Sequence, residues 1–306
     1  MDNGKKYKSP NYGGYLGYKI FHWVISCAGV RPAYVLLAFI VPYYVIIRQS
    51  ARSSASFYLK KRFPNDSSLT RFFRTIKYFY IFGQVLIDQA VTGILGESVL
   101  SFEFPEGQKL LKIIKRKKGA LLLTTHLGNW QTAMGAMGDF AENVSFHFQL
   151  EEHTSGRHFF DLSNKRDKFR IISPSAFLGG MVEITSTLLS GGCVATMGDR
   201  AWGSKTKEAL FFGKKALFPI TPYHLAHSTN SEIFMILPVR TGRLSFRIDA
   251  VNLSENIDLS SISKDEAIDR LLKRYVENLE KCLQQYPYMW LNFYNFWSEK
   301  DETLTK

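Results

Sequence analysis

The sequence predicts an α/β fold, a mixed central sheet with helices on both faces, preceded by an N-terminal membrane-associated helical segment. Three observations predict it. From Gly119 onward, short apolar runs alternate with windows of helical period. Upstream, Pro32 to Ile47 (PAYVLLAFIVPYYVII) carries no charge and is bracketed by Arg31 and Arg48. The net charge of +12 is all in the first third: residues 1–118 hold 19 Lys+Arg against 6 Asp+Glu, and the remaining 20 and 21 nearly cancel. At 306 residues, 45% hydrophobic and 22% charged, with 22 Gly and 10 Pro following no period, the chain can bury a core, and disordered, collagen-like and coiled-coil classes fall away. Cys27, Cys193 and Cys282 stand too far apart for a paired zinc motif or a disulfide framework, as expected of a reducing compartment.

The boundary is placed at residue 67, with residues 1–67 as anchor or interfacial helices and 68–306 as the α/β domain. As one helix, Pro32 to Ile47 reaches about 24 Å, short of the ~30 Å hydrocarbon core. Ile20 to Val30 would lengthen it, but Gly29-Val30-Arg31-Pro32 breaks the helix. A hairpin dipping into one leaflet and a single tilted anchor both fit, and a buried core helix pair is the alternative. Tyr12, Tyr15, Tyr18, Tyr43, Tyr44 and Trp23 suit the headgroup belt, and Lys19, Arg48, Arg52, Lys60, Lys61 and Arg62 suit an anionic membrane surface. A cleaved signal peptide is not expected, because the apolar run starts after residue 30 and Arg48 to Arg52 stays charged.

From Ser68 to about Leu100 apolar residues recur at helical spacing, giving one or two amphipathic helices, and Glu106 to Lys117 is a further helix. The run Lys115-Arg116-Lys117-Lys118 places cations at the negative dipole end of that helix, as a solvated terminus or a docking patch. Strands are expected at Ala120–Thr125, Val144–Leu150, Phe169–Ile172, Cys193–Met197, Ile233–Val239 and Leu244–Val251. Helices are expected at Trp130–Ala141, Leu178–Leu189, Pro222–Ser228 and Lys264–Gln285. Alternation of this kind places functional groups at strand ends and in the loops that follow. The polar stretch Glu151 to Arg170 reads as a flap over the site.

Several catalytic signatures are excluded. No Ser has Gly two before and two after it, Gly213-Lys214-Lys215 lacks the rest of a P-loop, and His-Glu-x-x-His does not occur. What remains is His126-Leu127-Gly128-Asn129-Trp130-Gln131, where His126 closes an apolar strand just before a helix that Asn129 could cap. The positive helix end disfavours a protonated ring and keeps His126 available as a base, and Gln131 from the first turn can reach back to orient it. His224 and His227 lie one turn apart without a carboxylate or Cys to complete a metal site, and a structural or groove role is expected. His147, His153 and His158 fall on or after a strand.

At these residues the chain resembles the lysophospholipid acyltransferase superfamily, specifically the late (lauroyl/myristoyl) acyltransferases of lipid A biosynthesis and their bacterial relatives. Their hallmark is a His followed after four residues by Asp or Glu. The likeness covers the apolar anchor, Ser56-Phe57-Tyr58-Leu59, Phe82-Gly83 with Asp88, His126 to Trp130, Gly198-Asp199-Arg200 and Phe211-Phe212-Gly213. It continues through Pro219 with Leu225-Ala226, Leu237-Pro238-Val239 and Tyr286-Pro287-Tyr288-Met289-Trp290. The resemblance implies an enzyme that moves a fatty acyl group, commonly from acyl carrier protein, to a hydroxyl or amine of a membrane lipid at the cytoplasmic face of the bacterial inner membrane. It implies no cofactor or metal, with acyl-carrier protein thioester or acyl-CoA as co-substrate, and as partners acyl carrier protein, a membrane lipid acceptor and an anionic membrane surface. By the same resemblance His126 is the general base, Asp199 and Arg200 form a second block in which Arg200 binds acceptor phosphate or the developing oxyanion, and Phe212 and Gly213 shape the acyl groove. A salt-bridged structural Asp199–Arg200 pair and plain core aromatics are the bland counterparts.

Position 131 departs from the pattern, since Gln131 stands where the family has a carboxylate. An amide orients the imidazole only if its oxygen faces the ring, and it cannot stabilise the imidazolium by charge. The alternative is a lipid-binding or assembly protein on the same scaffold, silent because of Gln131. Nucleic-acid binding through the basic third ranks last, as no recognition motif occurs. The acceptor lipid stays open among lipid A precursors, aminolipids, glycerolipids and polyene lipids.

Overall fold

In the computed structural model the described residues are 14–130, 143–148, 170–200 and 205–297. The apolar N-terminal region folds as α1 (Gly14–Ala28), α2 (Val30–Ile47) and α3 (Gln49–Arg62), followed by the long α4 (Ser68–Leu95). The break foreseen at Gly29 is real: its φ of 80° is left-handed, and Arg31 and Pro32 begin the next helix instead of interrupting one. Ser67 caps α4 by accepting a hydrogen bond from Thr70 N–H at 3.1 Å, and Gly96 ends it, so the window read as one or two helices is a single 28-residue element. Both α2 and α4 are long and apolar enough to cross a membrane, at mean hydropathy 1.8 and 1.2. Only 28% of the α2 window is buried, whereas 44% of the α4 window is, because α4 packs on α1, α2 and α3 and reaches into the α/β region.

The sheet has seven strands in the order β1-β9-β8-β2-β5-β3-β4. These are β1 (Ser101–Glu103), β2 (Ala120–Thr124), β3 (Val144–His147), β4 (Arg170–Ile172), β5 (Cys193–Met197), β8 (Glu232–Gly242) and β9 (Ser245–Asn252). Strands β8, β2, β5, β3 and β4 run parallel; β9 returns antiparallel to β8 and β1 pairs parallel to β9. The period-2 pattern of β2 shows why both faces are covered. Leu121 and Leu123 enter a core shared with α4 and the C-terminal helix α8 (Lys264–Gln285), while Ala120 and Leu122 pack with Leu110, Ile113 and Ile114 of α5 (Gly107–Lys115). Ser263 caps α8 by accepting from Glu266 N–H at 3.3 Å. Helix α7 (Thr221–Ser228) packs on α8.

Three expectations need correction. The helix expected from Leu178 begins at Met181 as α6 (Met181–Leu189), because Leu178, Gly179 and Gly180 adopt φ of 51°, 67° and 75°, outside helical backbone. The strand expected to run to Leu150 ends at His147. Residues 206–219 form an unforeseen antiparallel hairpin, β6 (Thr206–Phe211) and β7 (Lys214–Pro219), turning at Phe212 and Gly213, both left-handed. The expected helix beyond Trp130 and most of the expected flap lie outside the described residues.

Candidate active site

Strand register assembles the site. Thr124 of β2 pairs with Met197 of β5, so the residues two further on, His126 and Asp199, leave the sheet side by side at its carboxyl end. The ladder extends one step, with Gly198 N–H donating to Thr124 O at 2.9 Å. Gly198 is needed there because a Cβ would lie 2.9 Å from the Tyr275 ring and hydroxyl. Asp199 is then fully buried and spends both oxygens on the His126 loop. Oδ1 meets His126 Nδ1 at 2.9 Å, and Oδ2 accepts from His126 N–H at 3.0 Å and from Trp290 Nε1–H at 3.1 Å.

The C-terminal segment closes the loop from the other side. Leu291 N–H donates to His126 O at 2.8 Å, Gly128 N–H donates to Met289 O at 2.7 Å, and Leu127 bridges Trp290 antiparallel. Gly128 allows this close clamp: its φ is 54°, and a Cβ would stand 2.5 Å from Pro238 O. Helix α4 braces the same loop. Gln89 donates to Asn129 Oδ1 at 2.9 Å, Tyr78 donates to Trp290 O, and Asn292 N–H donates back to the Tyr78 hydroxyl at 3.1 Å. Arg240 of β8 bonds Asp88 at 2.8 Å and the Tyr34 hydroxyl at 3.1 Å, and Tyr34 also donates to Asp88, so α2, α4 and the sheet meet in one buried polar knot.

Burial alone would raise the Asp199 carboxyl. The His126 ring with its hydrogen bond, the Arg200 cation and the His126 N–H outweigh it and hold the carboxyl well below the usual range. An ionised carboxylate only accepts, so the proton of the neutral ring sits on Nδ1 and the lone pair of that tautomer is on Nε2. The His126 side chain retains 22% exposure, and the Trp130 ring stands edge-on to it at 6.4 Å. Arg200 is half-buried with its guanidinium 5.6 Å from the Tyr294 ring centroid, and its Nε finds no acceptor among the described residues. This constellation can take a proton at Nε2 and offers one cation beside the dyad.

Of the residues read from sequence, the structure brings together His126, Asn129, Asp199 and Arg200. Asn129 is fully buried and faces Gln89. Asp199 pairs with His126, and no ion pair joins it to Arg200 among the described residues, so the salt-bridged Asp199–Arg200 pair envisaged from sequence is replaced by an Asp199–His126 pair, with Arg200 acting on the carboxylate only through its charge. Phe212 and Gly213 form the hairpin turn. Phe212 N–H donates to Glu280, its ring lies 6.3 Å from Tyr58, and Phe211 behind it is core, packed on Trp290 and stacked on Trp297. Gln131, His153 and His158 lie outside the described residues. His227 donates to Ile262 O at 3.1 Å. The orienting part of Asp199, the indole of Trp290 and the Asp88–Arg240 pair were not read beforehand; a lone acid in the apolar stretch of α4 was the available signal for the last.

A family model described as bacterial lipid A biosynthesis acyltransferase matches residues 1–299. No curated protein matches the chain.

Proposed function

Because the chain belongs to the bacterial lipid A biosynthesis acyltransferase family, we propose that it transfers a fatty acyl group from an acyl thioester, carried by acyl carrier protein, to a hydroxyl or amine of a membrane lipid such as a lipid A precursor. His126 is the general base. Nε2 takes the proton of the acceptor group as its oxygen or nitrogen attacks the thioester carbonyl. The tetrahedral oxyanion collapses, the carbon–sulfur bond breaks, and the departing thiolate takes the proton from Nε2. Asp199 holds the tautomer and offsets the imidazolium charge, and Arg200 faces the acceptor phosphate or the oxyanion. Transfer takes place at the cytoplasmic face of the inner membrane, with the apolar N-terminal helices on the bilayer.

The observation that carries this reading is the 2.9 Å contact between His126 Nδ1 and a buried, ionised Asp199. It gives the ring a carboxylate partner whatever residue 131 contributes, which favours an active enzyme over a silent lipid-binding scaffold. The test is incubation of the purified protein with labelled acyl-carrier protein thioester and crude bacterial lipid. A labelled lipid is expected, and it should vanish with His126→Ala. Lipid binding without label transfer would overturn the proposal.

A further inference from the structure

Two separate apolar exposures stand at the same end of the sheet. One is the helical bundle: Phe39 and Tyr43 of α2 are 75% and 67% exposed, and α4, on which α2 packs, is tied to the carboxyl-end segment of β8 through Asp88 and Arg240. The other follows β4, an edge strand on the far side of β2 and β5 from β8, where Phe177 and Leu178 are 80% and 64% exposed at the tip of a tight turn. Single exposed apolar side chains are ordinary, but this turn is built to hold them out. Leu178, Gly179 and Gly180 are left-handed in succession, a conformation that a leucine rarely adopts. Ala176 N–H donates to Ser173 O at 3.0 Å, Gly179 N–H donates to Ala176 O at 2.9 Å, and the half-buried His147 ring donates from Nε2 to Gly179 O at 3.0 Å. A Cβ on Gly180 would stand 2.7 Å from the Ile172 side chain, so the turn is pinned against β4.

We infer that the Phe177–Leu178 tip is a second membrane-inserting contact, seated in the same leaflet as the α2 face on the other side of His126. Strands β2 and β5, which deliver His126 and Asp199, lie between β8 on the bundle side and β4 on the tip side. A bilayer touched on both sides of these two strands therefore spans the mouth of the site, and a lipid acceptor reaches Nε2 without leaving the interface. Aromatic and aliphatic side chains at a rigid tip gain free energy on leaving water without an ordering cost at the moment of insertion. The inference rests on the membrane-docked reading above.

The test uses the full chain with Cys27→Ser, so that only an introduced thiol is accessible, Cys193 and Cys282 being buried. An environment-sensitive nitrobenzoxadiazole label is placed at Phe177→Cys or, separately, at Phe39→Cys. Each is mixed with vesicles of phosphatidylethanolamine and phosphatidylglycerol. Brightening of both labels, with quenching by acyl-chain nitroxide lipid, is expected. Response at position 39 alone overturns the second contact and leaves docking intact, whereas response at neither overturns docking itself. A label at 177 already shielded without lipid, in proportion to protein concentration, assigns the tip to a second copy instead. Phe177→Ser with Leu178→Asn, which keeps a residue tolerant of left-handed backbone, is expected to weaken vesicle partitioning about tenfold; unchanged partitioning overturns the inference.

Discussion

In the proposed reaction His126 acts as a base only in the tautomer that keeps a proton on Nδ1, and Asp199 fixes that tautomer while also holding the loop through His126 N–H and Trp290. Asp199→Asn presents an amide that can donate to Nδ1 and invert the tautomer. We expect kcat to fall about 10³- to 10⁴-fold with a much smaller change in KM. Gln131→Glu is expected to change kcat far less; the reverse ranking in single-turnover assays would return the carboxylate function to position 131. Of the two, the place of His126 at a strand end was legible in the sequence because an apolar strand ending in His before a capping residue is a local pattern. The pairing was not, since Asp199 lies 73 residues away and meets His126 only through the β2–β5 register. His147 carries a separate pH dependence. Burial holds its ring below the ordinary histidine range, despite the bond to Gly179 O, and Thr196 Oγ1 lies 3.1 Å from Nδ1. The unfolded chain then takes up the proton first, so the stability it contributes is present above about pH 6.5 and is lost as pH falls. Thermal unfolding of wild type against His147→Asn is expected to show a difference at about pH 7.5 that shrinks toward about pH 5; a constant difference would remove the titration.

At the scale of elements, the joint between the apolar bundle and the sheet is one polar knot. Asp88 is fully buried, Arg240 is 11% exposed, and Tyr34 and Gln84 complete the guanidinium's partners. Removing one ion strands the other away from water, so Asp88→Ala is expected to destabilise the protein by about 3–5 kcal/mol, while Asp88→Leu combined with Arg240→Met recovers most of that loss. Unfolding midpoints in detergent check this, and full additivity of the two changes would show that the pair carries no coupling. The helices and strands themselves were largely readable. Gly29 ended α1 as its left-handed φ requires, and short continuous apolar runs marked β2 and β5. The elements that escaped were those whose signal is tertiary. Leu178 extends an apparently helical apolar window, yet its carbonyl neighbour Gly179 O is bonded to His147 on β3 and the helix starts three residues later. The hairpin at Phe212 and Gly213 looks like a groove wall in sequence because its lysines and aromatics mask the alternation.

For the whole molecule, the proposed docking sets the carboxyl end of the parallel strands against lipid, and this divides the basic third into two populations. Lys60 and Lys61 close α3 beside Arg62, which caps the C-terminus of α8 through Leu283 O and Gln284 O at 3.0 Å each; the chain then runs directly to the 289–291 clamp on His126. They belong to the site end. Lys115 to Lys118 precede β2 and are exposed at the opposite end of the same strand. Five residues of strand separate the two ends by about 16 Å, twice the ~8 Å screening length of physiological salt. The distal cluster therefore does not feel the surface potential of a bilayer lying across the site, although it contributes fully to the net charge that first suggested a polyanionic partner. Replacing Lys60 and Lys61 by Ser is expected to weaken binding to phosphatidylglycerol vesicles by about tenfold or more, at ~1 kcal/mol per cation near the surface. That difference should fade toward 1 M salt, where the screening length is about 3 Å. Replacing all four distal cations should leave vesicle affinity within about twofold. Equal losses from the two sets in a flotation assay would mean that the bilayer lies along the side of the sheet, and the orientation that places His126 at the interface would have to be abandoned.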